Sequence, residues 1–370
     1  WIVNKRNALD VPLWMSESGE NSNTWFTNAI RLFEDNNIGW SWWPVKKSGI
    51  NNVLRVTKNE SYANLIDYWA NGSPAMTEEE VFQAVLQWAE NHKLENCALQ
   101  YDVIDALIRQ PYSYEAKPFK ARQTGENIYF SEYDLGRNNV AYWDEDTANY
   151  HISTGSYTSW NAGWAYRNDG VDIEPCQDNA APTNGYSVGW TNPGEWMQYT
   201  FYNEEAAAYT ADIRSASDAS QGSKVHFERN GLNISGQVQL PQTGGWQTWE
   251  TQSTTVELTE GKQIFRIYSR SGEHNLNWFS FDLITSSEKS SLPNQLKVYP
   301  NPALNKLNVD FFTSDEKLLA MFNMAGNQLL SLLTRDERIQ INTRQYPPGQ
   351  YILRVTGRNL NKSIKIQIAR

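Results

Sequence analysis

The sequence predicts three folded regions in series: an α/β region, an all-β sandwich and a second, smaller β-sandwich. Three observations carry that expectation. Helical periodicity is confined to residues 1–117, short strands and turn residues fill 126–285, and after a Ser-rich stretch at 286–295 about seven more alternating segments occupy 296–370. Residues 118–125 and 286–295 are expected as linkers. At 370 residues the chain is also too long for one ordinary core.

Composition narrows the partners. All sixteen Trp lie at or before Trp278. An indole pairs a flat apolar face with a polar edge, the shape that stacks on a sugar ring, so the excess points to carbohydrate rather than nucleic acid. The net charge is −10, yet residues 292–370 hold eleven Lys/Arg against five Asp/Glu, so residues 1–291 carry −16. That surface repels a polyanion and is indifferent to a neutral glycan. No apolar run approaches the roughly 20 residues of a membrane helix, so no membrane span is expected. The chain opens at Trp1 without initiator Met or signal peptide, which predicts a piece of a longer protein. Cys97 and Cys176 fit neither a disulfide framework nor a metal spacing and are expected as buried thiols.

In the first region, Val11–Met15 reads as a parallel strand buried on both faces, stopping at Ser16-Glu17-Ser18-Gly19. A helix follows from about Asn23, with Trp25, Phe26, Ala29, Ile30 and Phe33 inward, and then a strand over Ile38–Trp43. Asn59–Ala70 is expected as a helix with Leu65, Ile66 and Trp69 on one face. Thr77-Glu78-Glu79-Glu80 is a capping box opening a helix with Val81, Val85, Trp88 and Ala89 inward. Asn96–Arg109 completes the set, with Leu99, Val103, Leu107 and Ile108 as core. This β-α-β-α order places an acid at the C-terminal end of a strand, the catalytic mouth of a barrel.

The run Trp14-Met15-Ser16-Glu17-Ser18-Gly19 fits the apolar-Trp-x-x-Glu-x-Gly pattern that ends the seventh strand of glycoside hydrolase family 5. Residues 1–115 resemble the last two β/α units of that (β/α)8 barrel. The resemblance implies Glu17 as catalytic nucleophile and Trp43, with Trp42 next, as the floor beneath the cleaved sugar. Glu20 is the fallback nucleophile, and Lys46 and Lys47 either touch substrate hydroxyls or are solvated loop charges. The alternative for Glu17 is an ordinary loop carboxylate. A retaining glycosidase needs two carboxyls about 5–5.5 Å apart, and the family's acid/base Glu belongs to strand four, upstream of this chain. A partial barrel that hydrolyses nothing by itself is therefore expected.

The middle region has strands expected at Trp196–Tyr202, Tyr209–Ala216, Lys224–Arg229, Thr254–Leu258, Gln263–Ser269 and Trp278–Ile284, with turns at Asn230-Gly231 and Gly244-Gly245. The stretches Gly185–Trp190, Gly194–Tyr199, Thr243–Trp249 and Asn275–Trp278 resemble family 6 carbohydrate-binding modules, which are jelly-roll sandwiches. The resemblance implies that Trp190 and Trp246 clamp one sugar ring while Asn275 hydrogen-bonds its hydroxyls. Trp196 is either an aromatic of a second cleft on the concave sheet or a sheet-face residue, and Trp249 and Trp278 are expected as core. Trp160, Trp164 and Tyr166 could flank the clamp. No cofactor is required. The family's structural calcium is left with Asp282 as its ligand here, because Tyr129 and Ser131 stand where acids are expected.

The last region carries Val298-Tyr299-Pro300-Asn301-Pro302, an Asn323-Met324-Ala325-Gly326 turn, Pro348-Gly349-Gln350-Tyr351 and a Lys-rich closing strand at Lys362–Ile368. Its strand count suits a small immunoglobulin-like sandwich, and its motifs resemble the C-terminal sorting domain of type IX secretion in Bacteroidota. The resemblance implies the type IX machinery as partner and a secreted or cell-surface location; the alternative is an adhesive immunoglobulin-like domain. Together these readings imply the C-terminal part of a secreted retaining hydrolase of a β-glycan, endo-β-glucanase-like, with an appended glycan-binding module. A non-catalytic glycan-binding surface protein, or a hydrolase of xylan or mannan, remains open beside it.

Overall fold

A computed structural model of the chain describes residues 1–145, 148, 161–284, 296–311, 314–357 and 360–369. Residues 1–283 form one compact unit and 284–370 a second.

The chain opens with α1 (Ile2–Leu9), β1 (Trp14–Ser18), α2 (Asn23–Asp35) and β2 (Gly39–Trp42). β1 and β2 pair in parallel, Trp14 opposite Gly39, with α2 as the crossover that a parallel pair requires. Gly39 leaves room for the Trp14 indole, since a Cβ there would stand 2.2 Å from the ring. Ser22 caps α2 by accepting from Trp25 N–H. Phe26 and Ile30 of α2 close a small core with Val103, Ala106 and Leu107. β3 (Lys46–Lys47), β4 (Leu54–Arg55), α3 (Glu60–Asn71), α4 (Glu78–Asn91), β5 (Ala98–Leu99) and α5 (Tyr101–Ile108) complete the region.

Several expectations fail here. β1 starts three residues later than expected and is exposed along most of its length, Trp14 by 65%. β1 and β2 form a two-stranded sheet, so among the described residues the face away from α2 has no layer over it. Leu65 is buried, but Ile66 and Trp69 are exposed. In α4 the buried residue is Ala84, while Val85 and Ala89 are exposed. These two helices pack on each other, with Tyr62 stacked on Trp88 at 4.0 Å. The helix expected over 96–109 splits: Ala98 and Leu99 pair with β4, and α5 then buries Val103 and Leu107 but not Ile108. The capping box at Thr77 forms as expected. Cys97 and Cys176 are free thiols and only partly buried. Of the expected partial (β/α)8 barrel, the described residues form the parallel pair β1-β2 with its crossover helix, while β3, β4 and β5 make a separate small sheet.

The sandwich has β6 (Ile128–Tyr129), β7 (Tyr142–Trp143), β8 (Ile173–Pro175), β9 (Tyr186–Val188), β10 (Trp196–Asn203), β11 (Ala207–Ala216), β12 (Ser223–Arg229), β13 (Leu232–Asn233), β14 (Val238–Leu240), β15 (Glu250–Leu258), β16 (Gly261–Ser269) and β17 (Asn275–Leu283). One sheet runs β13-β12-β16-β10-β7 with β14 beside β12; the other runs β15-β11-β17-β9-β8 with β6 beside β17. Alternation supplies the core: Gln263, Phe265, Ile267 and Ser269 of β16 all face in. Phe201, Phe227, Phe265, Phe279 and Phe281 meet at its centre, Phe201 stacked on Phe281 at 5.1 Å. Each such ring contributes roughly 1.5–3 kcal/mol by burial.

Residues 118–125, expected as a linker, are stitched to this sandwich. Lys117 pairs with Leu135, Thr124 N–H donates to Tyr202 O, and Lys120 and Arg122 both bind the buried Glu132. A buried polar cluster joins the first region to the sandwich. Asn23 at the start of α2 donates to Asp102 of α5 and to Asp169 of the sandwich, each at 2.8 Å. Arg167, fully buried, donates to Asp169 at 2.8 Å and lies over the Tyr133 ring at 4.0 Å. Asn168 donates from its backbone to Asp102 and from its side chain to Asn21 O. Burial and the neighbouring Asp169 push the Asp102 carboxyl above its ordinary value, with Arg167 working against them.

The second unit carries β18 (Lys297–Tyr299), β19 (Lys306–Asp310), β20 (Lys317–Asn323), β21 (Gln328–Thr334), β22 (Arg338–Asn342), β23 (Gly349–Gly357) and β24 (Leu360–Ile368). They form sheets β18-β19-β22 and β21-β20-β23-β24 around Leu307, Val309, Leu319, Met321, Leu353 and Ile366. The Asn-Met-Ala-Gly turn between β20 and β21 is held by Asn323 Oδ1, which accepts from Ala325 and Asn327 N–H, while Gly326 takes a φ of 84°.

Candidate functional site

The end of the sandwich where β8, β9 and β17 meet gathers three of the residues singled out from the sequence. Trp190 follows β9 and is 51% exposed; Trp246, in the loop before β15, is 45% exposed. Between them Asn275, the first residue of β17, is buried. Its Nδ2 donates to Trp246 O and to Glu174 Oε1, both at 2.7 Å. On the other side Gly189 lies against the same amide: a Cβ there would stand 2.7 Å from Asn275 Oδ1. Gly163 likewise underlies the Trp190 ring, where a Cβ would come within 2.6 Å. Two residues with exposed indoles therefore meet one buried amide, Trp246 through its carbonyl and Trp190 through the adjoining Gly189.

Glu174 is the residue that sequence reasoning missed. It accepts from Asn275 and from Gln247 Nε2, both at 2.7 Å, and Gln247 in turn accepts from Gln177 N–H. Burial pushes the Glu174 carboxyl above its ordinary value, while Gln247 and Asn275 oppose the shift. The available signal is an acid at the end of the Gly170-Val171-Asp172-Ile173-Glu174 run. Asn275 was expected both to donate and to accept toward a sugar. With both amide hydrogens engaged inside the protein, it presents Oδ1 as an acceptor. The floor thus suits a ligand rich in hydroxyl donors.

The other aromatics singled out have these surroundings among the described residues. Trp164 Nε1 donates to Asn168, and Tyr166 stacks on Tyr186 at 4.6 Å and donates to Glu132. Trp160 lies outside the described residues. Trp196 is 8% exposed on the β10 sheet face, capped by the Arg266 guanidinium at 3.9 Å from its ring. Trp249 and Trp278 are buried. Asp282 is exposed with Ser280 as hydrogen-bond partner, and among the described residues no three Asp, Glu, His or Cys side chains gather as metal ligands. That surrounding does not fit a calcium ion, which takes six to eight oxygens.

Glu17 stands on β1, exposed, one residue before the Ser18–Trp42 pairing. Trp43 is 50% exposed, whereas Trp42 packs edge-on against Phe26 at 4.2 Å. The ends of the two strands adjoin, since Trp43 N–H donates to Ser18 O at 2.9 Å. Glu20 is paired with Lys47, and Lys46 donates to His92 O at 2.6 Å, so these three are engaged within the chain.

Residues 161–283 match the family 6 carbohydrate-binding module, and residues 297–369 match the secretion system C-terminal sorting domain. Over the module the chain is similar to the clotting factor G alpha subunit of Tachypleus tridentatus (32% identical over 118 residues, 31% of this chain and 17% of that protein). It is also similar to an arabinoxylan arabinofuranohydrolase of Paenibacillus polymyxa (27% over 111 residues, 29% and 17%) and to β-agarase AgaA of Microbulbifer thermotolerans (31% over 98 residues, 26% and 22%). The chain thus spans about a fifth of the length of these curated relatives. Among solved structures it resembles a β-1,3-glucan-binding family 6 module from Bacillus halodurans (23% identical, 44% of this chain and 99% of that one, TM-score 0.32). It also resembles the C-terminal family 6 module of the laminarinase LamC from Zobellia galactanivorans (34%, 30% and 87%, TM-score 0.28). No helix among the described residues is long and apolar enough to cross a membrane.

Proposed function

From a chain that carries a family 6 carbohydrate-binding module and a secretion sorting domain, and so is destined for the cell surface or beyond, we propose that the module holds a β-glycan strand between Trp190 and Trp246. One observation carries this reading: Asn275, fastened to Trp246 O and Glu174 and touched by Gly189, ties both exposed indoles to one acceptor-rich floor. Aromatic faces take the C–H faces of a pyranose, and the floor takes its hydroxyls. Relatives over the module include an arabinofuranohydrolase and an agarase, which supports a polysaccharide as ligand class.

We further propose that residues 1–117 end a family 5 (β/α)8 barrel whose earlier strands lie upstream. In that reading Glu17 is the nucleophile and Trp43 the sugar floor, with Trp42 beside it, and tethering raises the local concentration of catalyst on the polymer. The pattern ending in Glu17, the parallel β1-α2-β2 unit and the unlayered apolar face of β1 support it. The second reading, a non-catalytic glycan-binding surface protein, is favoured by the exposure of Glu17 on a strand with one partner among the described residues. A hydrolase of xylan or mannan would keep the chemistry and change the substrate.

Affinity electrophoresis in soluble β-glucan tests the clamp: the chain is retarded and Trp246→Ala is not. Equal mobility of the two would remove it. For the barrel, Glu17→Ala in the full-length parent abolishes release of reducing sugar, and azide restores turnover through a glycosyl azide. Undiminished hydrolysis would be fatal to the nucleophile.

A further inference from the structure

Trp190 and Asn275 arrive at the clamp from different strands, and the residues adjacent to them are bonded in both directions. Thr191 Oγ1 donates to His274 O at 3.0 Å and accepts from His274 N–H at 3.2 Å. Glu273 N–H donates to Thr191 O at 2.9 Å. Thr191 and His274 are buried, and His274 Nδ1 donates to Gly272 O at 3.0 Å. Gly272 has a φ of 68°, and a Cβ there would stand 2.4 Å from Thr191 O, so the two loops close only over a bare backbone. Trp190 itself has a φ of 46°. For a bulky residue this left-handed conformation persists only where its surroundings over-determine it.

We infer that Thr191 is the positioning residue of the clamp: its hydroxyl latches the Trp190 loop to the β17 strand end and so sets the exposed indole against Asn275. The inference rests on the glycan-clamp reading and adds to it a residue that touches no ligand. The hydroxyl is needed because it serves a buried carbonyl and a buried N–H at once. A methyl group in its place fills the same volume and leaves both unpaired. Trp190 then loses the restraint on a backbone it does not adopt freely, and the clamp opens a wider range of ring positions to each sugar that binds.

The test uses the whole chain and soluble mixed-linkage β-glucan as probe. Thr191→Val, which loses both hydrogen bonds, weakens retardation about fivefold, and Thr191→Ser, which keeps the hydroxyl, binds like the parent. In a Trp190→Ala background Thr191→Val has no further effect, because Thr191 acts through that ring. Unchanged binding by Thr191→Val while Trp246→Ala still weakens it would overturn the latch and spare the clamp. Equal losses in Thr191→Val and Thr191→Ser, or a Val effect that persists without Trp190, would show a merely structural threonine and overturn it too. If neither the parent nor Trp246→Ala is retarded, clamp and latch fall together.

Discussion

Trp14 and Trp190 are both exposed indoles, exposed for different reasons. Among the described residues Trp14 lies on a strand with one neighbour and a helix on one side, and its exposure reflects a face that none of them covers. Trp190 and Trp246 stand on loops rooted in a sandwich whose own core is closed by packed Phe rings. Their exposure is held in place by a left-handed backbone, two glycines and a buried Asn. An aromatic pattern alone does not separate the two cases. What separates them is whether the residues beneath the ring are spent on filling space or on presenting it.

The seam between these two regions offers the largest effect. Arg167→Ala leaves Asp169 and Asp102 buried without their cation, which costs about 3–5 kcal/mol. Because the cluster spans both regions, urea unfolding of residues 1–283 followed by far-UV and near-UV signals stays a single transition and moves to lower urea. Two separate transitions in the parent would break the picture of one body.

A second test acts through pH on the clamp's own side of the comparison. Burial pushes the His274 imidazole down to about 4, against an ordinary value of 6.5. The unfolded chain therefore binds the extra proton first. This contribution is fully present above pH 6.5 and is lost as pH falls toward 4, by on the order of 3 kcal/mol. Asp102 runs the other way, its raised carboxyl favouring the folded state as pH falls. The difference between the parent and His274→Gln isolates the imidazole, since Asp102 is common to both. Equal pH slopes for parent and variant would remove it.

Smaller effects sharpen the contrast. Thr77→Ala removes the capping box of α4 and lowers stability by about 1 kcal/mol in a thermal melt. Arg335→Ala in the second unit breaks a solvent-exposed pair with Glu316 and leaves the melt unchanged.

The sandwich and the sorting domain were legible because period-two alternation maps directly onto a closed two-layer core; β10, β11 and β16 match their expected spans within two residues. In residues 1–117 the elements were legible and their burial was not. Ile66, Trp69, Val85 and Ile108 carry the helical period yet remain exposed, since period reports which residues share a face and not what covers it. Leu99 was misread because a two-residue strand interrupts the helical pattern. Trp190, Trp246 and Asn275 are brought together from three separate motifs. Glu174 escaped because its role depends on Gln247 and Asn275, 73 and 101 residues away.

Indole fluorescence titration with a β-glucan hexasaccharide tests the central claim most directly. The account predicts a saturable change in emission for the parent chain that is reduced by Trp190→Ala, reduced again by Trp246→Ala, and abolished in the double variant. A parent titration curve reproduced by the double variant would contradict it.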